Sequence, residues 1–158
     1  MASSQPISVL MFMTGRNCAP YVADAIQSVA RQTHPNVHVL FVDDCSDDGT
    51  HAVAEAALNQ LMPGRFTLVR NPERLGKAYN ASTHLREAAR VHDVVAVLDA
   101  DDSLLDVTVL AQLAHAYRQG NDVVWTNYLT DHGRFGGNGP LDRNKSPRAQ
   151  RWLTSHLF

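Results

Sequence analysis

Apolar and polar positions fall into alternating blocks along this chain. Ile7–Met13 is an apolar run bounded by polar residues, the pattern of a short strand buried on both faces. Pro20–Gln32 follows with helical spacing, Val22, Ile26, Val29 and Ala30 on one face and Pro20 in the first turn. Val37–Val42 is a second buried strand, closed by Asp43–Asp44–Cys45–Ser46–Asp47–Asp48–Gly49–Thr50, residue types that turn the chain and start a helix. That helix carries Val53, Ala57 and Leu61 and stops near Pro63–Gly64; Phe66–Arg70 is a third strand. After the loop Asn71–Gly76 a helix is expected from Lys77 to Val91, then a strand over Val94–Leu98, a helix over Leu105–Gln119 and a fifth strand over Asp122–Asn127.

The order β-α-β-α-β-α-β-α-β at such short spacings predicts an α/β fold. Its sheet is Rossmann-like and mostly parallel, with right-handed crossovers and helices on both faces. Ligands of such sheets bind outside the carboxyl ends of the strands. The polar clusters Thr14–Asn17, Asp43–Asp48, Asn71–Lys77 and Asp99–Ser103 all fall at those ends. Beyond Asn127 the pattern breaks. Thr130–Pro147 is rich in Gly, Asn, Asp and Arg, which suits a surface loop or a phosphate-holding one. Ala149–Phe158 resumes apolar residues and ends without a cap, so the chain is expected to be cut short. The expected division is a core over residues 1–130 and an irregular remainder over 131–158.

The densest candidate chemistry follows Val94–Leu98, where Asp99, Asp101 and Asp102 fall within four positions. Three acids this close repel one another, and a divalent cation or protonation relieves the repulsion. Hard oxygen ligands suit Mg²⁺ or Mn²⁺ and leave positions for a substrate phosphate. The alternative is that Asp101, Asp102 and Ser103 merely turn the chain and cap the next helix. Asp43 and Asp44 lie before any capping position and suit hydrogen bonding to a base or a ribose, whereas Asp47 and Asp48 are expected only to start the helix. Gly76–Lys77 offers a close backbone approach and a cation at a helix N-terminus, either a phosphate seat or a solvated surface lysine. No P-loop spacing and no G-x-G-x-x-G after the first strand is present, which disfavours adenylate-type dinucleotide binding.

Composition narrows this further. A net charge of −2 gives no global case for nucleic acid or an anionic membrane. Cys18 and Cys45 have no metal or redox spacing and read as reduced, structurally neutral thiols; the eight histidines form no metal motif. No signal peptide or membrane-length apolar run is visible, so a cytoplasmic location is expected.

Five segments carry a family resemblance. They are Thr14–Gly15–Arg16–Asn17, Ala25–Thr33, Val39–Thr50, Leu75–Asn80 and Leu98–Asp102. In this order and spacing they closely resemble the family 2 glycosyltransferases of the GT-A fold, over roughly residues 6–130. The resemblance implies an inverting transferase using a nucleotide-diphosphate sugar, UDP-linked, with Mn²⁺ or Mg²⁺. The acceptor is an unspecified glycan, lipid or protein, and the full enzyme would associate peripherally with a membrane. It implies a nucleobase contact for Asp44, a nucleotide pocket with Thr14, Arg16, Asp43 and Lys77, and a D-x-D region read as Asp99-x-Asp101 or Asp101–Asp102. Asp99 and Asp101 then serve the nucleotide, and Asp101 and Asp102 lie nearest the metal. Arg16 stands where the family usually has an aromatic residue. The family's general base is an acid in the acceptor-binding half. Asp131 and Asp142 are the only carboxylates after Asp122 and neither matches it, so the base is expected outside this chain and no catalytic residue is assigned. Trp152–Phe158 resembles a segment upstream of that base, which makes residues 131–158 the start of the acceptor side. Two alternatives are a haloacid-dehalogenase-like phosphatase with Asp99 as nucleophile and Asp101 as acid/base, and a non-catalytic fragment that binds a sugar nucleotide.

Overall fold

The structure is a computed structural model that describes residues 5–130, 132 and 134–136. Four strands, β1 (Val9–Gly15), β2 (Val37–Asp43), β3 (Phe66–Arg70) and β4 (Val94–Asp99), alternate with α1 (Val22–Ala30), α2 (Thr50–Leu61), α3 (Lys77–Ala88) and α4 (Val109–Arg118). All strand pairs are parallel, in the order β3-β2-β1-β4. The predicted α/β class and its parallel sheet are present.

Pleating divides the apolar strand residues between two faces. Leu10, Phe12, Leu40 and Val42 pack on one face against Ala81, Leu85 and Ala88 of α3. Val9, Met11, Met13, Val39 and Phe41 alternate with them and are fully or almost fully buried. Helices α1 and α2 pack on each other and bury Val22, Ile26, Val29, Ala54 and Leu58. This is why the strands read as continuous apolar runs: neither face of β1 or β2 meets water. Truncating Phe12 or Phe41 to Ala would cost about 3–5 kcal/mol.

Two expected elements differ from the structure. The helix expected from Leu105 begins at Val109. Residues 104–110 are instead bonded to the end of α1. The Leu104 N–H donates to Ser28 Oγ, Gln32 Nε2 donates to the Asp106 carbonyl, and the Leu110 N–H donates to Gln32 Oε1. The Asp106 carboxylate accepts both the N–H and the hydroxyl of Thr108, and these contacts set the helix start. The fifth strand expected over Asp122–Asn127 is absent: these residues have no ladder partner, and Val123 is exposed. Val123, Val124 and Trp125 have strand propensity, but propensity without a paired neighbour makes no strand. A short antiparallel pair follows instead, β5 (Tyr128–Leu129) with β6 (Phe135–Gly136).

The chain divides into two units, Met1–His115 and Ala116–Phe158. The first contains the parallel sheet. In the second, Asn121 Nδ2 donates to the Ala116 carbonyl, and the Thr130 N–H donates to the Arg134 carbonyl beside the β5–β6 pair. Of the expected loop over Thr130–Pro147, residues 131, 133 and 137–147 lie outside the described residues, as do the whole Ala149–Phe158 segment and both late carboxylates, Asp131 and Asp142.

Candidate functional site

Strand order decides where a ligand can enter. From β1 the chain moves to β2 and β3, then returns across both to place β4 on the other side of β1. β1 and β4 thus lie side by side where the strand order reverses, and ligands of parallel sheets bind outside the carboxyl ends of strands at such a point. Register brings the candidate residues to this edge: Thr14 is opposite Asp99, Gly15 opposite Asp43, and Asp43 opposite Arg70. Gly15 allows the β1 and β4 ends to approach closely. A Cβ there would lie 2.5 Å from the Ala100 Cβ and 2.7 Å from the Cys18 Sγ. Cys18 and Cys45 are both free thiols, as expected, and burial pushes the Cys18 thiol pKa up.

Loops 15–19 and 43–50 are laced together. The N–H groups of Asn17, Cys18 and Ala19 donate to Ser46 Oγ, Thr50 Oγ1 and Asp48 Oδ2. Asn17 accepts in return from the Asp47 N–H. Asp48 also accepts the N–H and hydroxyl of Thr50, so it starts α2, as the sequence suggested, and fastens the neighbouring loop as well. Asp43 is fully buried; its Oδ1 accepts the Ser46 N–H at 3.1 Å, and its Oδ2 lies 3.4 Å from Arg70 Nε and 3.6 Å from His51 Nδ1. Arg70 Nη2 also donates to the Ser46 carbonyl. Strand-end position selects Asp43 from sequence. Arg70 and His51 read only as strand and helix residues there, because their partner is on another element.

Asp44 has a denser environment. Its Oδ1 accepts from the Leu75 N–H at 2.8 Å and Asn71 Nδ2 at 2.9 Å, and its Oδ2 accepts from the Gly76 N–H at 2.9 Å. Asn71 gives its second amide hydrogen to Asn80 Oδ1 at 2.7 Å, and its N–H to the Asp43 carbonyl. Burial alone would raise the Asp44 pKa. The Leu75 N–H, the Asn71 amide, the nearby Asn80 amide dipole and the Gly76 N–H outweigh it and hold the carboxyl at about 2. Gly76, at φ +84°, accepts the first helical bond of α3, from the Asn80 N–H. The Asp44 carboxylate therefore occupies the α3 N-terminus, where a carboxylate is stabilised by the helix dipole. Asp44 takes the N–H groups of Leu75 and Gly76, just ahead of the first turn of α3. Lys77 is exposed, as a surface lysine would be, and its Nζ pairs with Asp99 Oδ1.

On the β4 side, Thr14 is buried and its carbonyl accepts the Ala100 N–H. Arg16, Asp101 and Asp102 are exposed. Among the described residues no ion pair or side-chain hydrogen bond engages Arg16 or Asp101. The carboxylates after β4 stand ahead of the first turn of α4, which begins only at Val109, and the Asp102 N–H donates to the Asp99 carbonyl, so the run turns the chain as it leaves β4. Among the described residues no three His, Cys, Asp or Glu side chains gather into a cation cage. The donor set fits Mg²⁺ or Mn²⁺ in a different way: such ions commonly take one or two carboxylates and complete their shell with water and substrate phosphate.

Comparison with known proteins agrees with this topology. The model of glycosyl transferase family 2 matches residues 9–156. The uncharacterized glycosyltransferase alr2836 of Nostoc sp. is 32% identical over 96 residues, 61% of this chain and 29% of that protein. The mannosyltransferase PcManGT of Pyrobaculum calidifontis, solved in complex with GDP-Man and Mn²⁺, is 26% identical with a TM-score of 0.65, over 77% of this chain and 35% of that one. TarS 1–349 of S. aureus, solved in complex with UDP-GlcNAc, shares the fold at 22% identity and a TM-score of 0.54, over 72% of this chain and 31% of that one. The matched part is therefore 29–35% of these relatives. No helix among the described residues is long and apolar enough to cross a membrane. The haloacid-dehalogenase-like alternative gives way to these matches: the chain belongs to glycosyl transferase family 2 and carries its GT-A-type α/β sheet.

Proposed function

We propose that the carboxyl edge of β1, β2 and β4 binds the nucleotide-diphosphate part of a sugar donor, and that the whole enzyme transfers the sugar with inversion to a glycan, lipid or protein acceptor. Thr14, Arg16, Asp43, Asp44, Lys77, Asp99 and Asp101 form the nucleotide pocket. Asp101 and Asp102 would hold Mn²⁺ or Mg²⁺. When bound, such an ion supplies positive charge that stabilises the diphosphate as a leaving group. Lys77 supplies a second cation at the same edge, and Asp99 keeps it there until a more negative partner arrives. The observation that carries the proposal is the open Asp101 carboxylate beside the Lys77–Asp99 pair, at the point where strand order reverses. The Mn²⁺ in the Pyrobaculum structure supports the metal. A UDP-linked donor follows from the family resemblance; the same Pyrobaculum protein holds GDP-Man, so both bases belong in the test.

The test is thermal unfolding with UDP or GDP, with and without Mn²⁺. A ligand at a hundred times its Kd stabilises by about 2.7 kcal/mol, a Tm rise of roughly 5–10 °C for a chain of this size. The expected result is a rise that needs both nucleotide and metal and is lost in Asp101→Asn. No shift with either nucleotide would overturn the proposal.

A further inference from the structure

We propose that His38 and His92 form a proton-sensitive latch at the amino edge of the sheet, at the opposite ends of the strands from the candidate donor site. With both rings neutral, the latch holds the turn between α3 and β4 against the start of β1. In acid, like charge on the two rings releases that turn. The latch is independent of what binds at the carboxyl edge.

The contacts form one continuous line across the sheet. His38 Nε2, on β2, lies 3.0 Å from the Thr67 hydroxyl of β3. The His38 and His92 rings have centroids 5.6 Å apart and planes tilted by 31°. His92 Nδ1 is 2.6 Å from Ser8 Oγ. Ser8 in turn grips the residues that lead into β4. Its N–H donates to Asp93 Oδ2 at 2.8 Å, and its carbonyl accepts the N–H groups of Asp93 and Val94 at 3.0 and 3.1 Å. Register puts His38 beside Leu10 of β1, on the face that α3 covers. Both rings are half-buried, so a charge on either is only partly hydrated. Their surroundings do little to offset it. From α3 come the apolar Ala81, Leu85 and Ala88, with half-buried His84 beside them. From the start of β3 comes exposed Arg65, and from the turn itself exposed Arg90 and Asp93. His34, on the same edge, is bonded to the Ile7 carbonyl. Among the described residues no carboxylate lies within ion-pair distance of either ring. Burial, and then the neighbouring His92, push the His38 pKa below the ordinary 6.5. The unfolded chain therefore binds the proton more readily, so the latch is intact above about pH 6.5 and weakens as pH falls below it.

The experiment follows amide hydrogen exchange by NMR, corrected for the intrinsic pH dependence of exchange, at about pH 7.5 and about pH 5.5, on either side of the ordinary histidine range. The Asp93 and Val94 amides are expected to lose protection in acid by about threefold or more. The Ala100 amide, bonded to the Thr14 carbonyl at the other edge, should stay constant. His38→Gln keeps a polar partner for Thr67 and cannot take up the charge, so it should abolish the loss. Constant protection in the unaltered chain, or an equal loss in His38→Gln, would overturn the proposal. If His38→Gln does not fold, NMR titration of the His38 ring decides. Removing the second ring in His92→Gln should raise the His38 midpoint. So should salt on the unaltered chain, because it screens repulsion between the rings. A midpoint unmoved in His92→Gln, or unmoved by salt where that variant does not fold, would contradict the latch.

Discussion

Asp44 and Asp101 are both carboxylates just past the ends of parallel strands, and their surroundings differ completely. Asp44, after β2, is buried under three hydrogen bonds from the following loop. Asp101, after β4, is exposed and engages no side-chain or backbone donor among the described residues. The β2 side of the edge is a built wall: loops 15–19, 43–50 and 71–76 hold one another through Asp43, Asp48, Asn71 and Arg70. The β4 side is left open. A carboxylate whose acceptor sites are filled by the chain stabilises structure, while one left in water is available to a ligand. The wall gives the open side its shape.

Removing a wall acid should cost stability, and removing an open one should not. Asp43→Ala is the largest expected effect. It strips the buried Ser46 N–H of its acceptor and leaves Arg70 without its carboxylate, a loss of about 2–4 kcal/mol in urea unfolding. A change below about 0.5 kcal/mol, the usual size at a plain surface position, would put Asp43 outside the wall.

The second effect depends on pH. The Asp44 pKa is depressed from 3.8 to about 2 on folding, so the unfolded chain binds the proton more readily. The stabilisation is fully present above the unfolded value and is lost as pH falls from about 4 to about 2. It amounts to roughly 2 kcal/mol. Unfolding free energy measured from pH 6 to pH 3 should therefore fall more steeply for the unaltered chain than for Asp44→Asn. Parallel curves would show that the wall does not depend on this charge.

The smallest effect is Asp101→Asn, expected to change unfolding free energy by less than about 0.5 kcal/mol. A larger loss would mean that the open side also supports the fold, and the contrast between the two acids would disappear.

Much of this was legible in the sequence. Apolar runs in β1 and β2 are buried on both faces, so local pattern and tertiary position agree there, while β4, at the sheet edge, buries Val94, Ala96 and Leu98 and leaves Val95 and Val97 half-buried. The strand-end rule then places Thr14, Asp43, Asp44, Lys77, Asp99, Asp101 and Asp102 on one edge. What stayed hidden depends on partners distant in sequence. Val123–Trp125 looks like a strand because pattern carries no information on whether a neighbour will pair with it. Lys77 reads as free because its partner Asp99 is 22 residues away. Asp44 and Asp101 look alike on paper; Leu75 and Gly76, supplying backbone N–H groups that no residue type announces, make them different.

The central claim is that a nucleotide diphosphate and a divalent ion meet at the carboxyl ends of β1 and β4. Mn²⁺ is paramagnetic and broadens nearby amide signals, so the NMR spectrum of the chain with UDP or GDP and substoichiometric Mn²⁺ tests it most directly. The expected result is selective broadening of Asp101, Asp102 and the neighbouring Thr14–Gly15 signals only when nucleotide is present, with Ser8, His38 and His92 at the opposite ends of the strands staying sharp. Broadening centred on those amino-end residues, or none with either nucleotide, would contradict it.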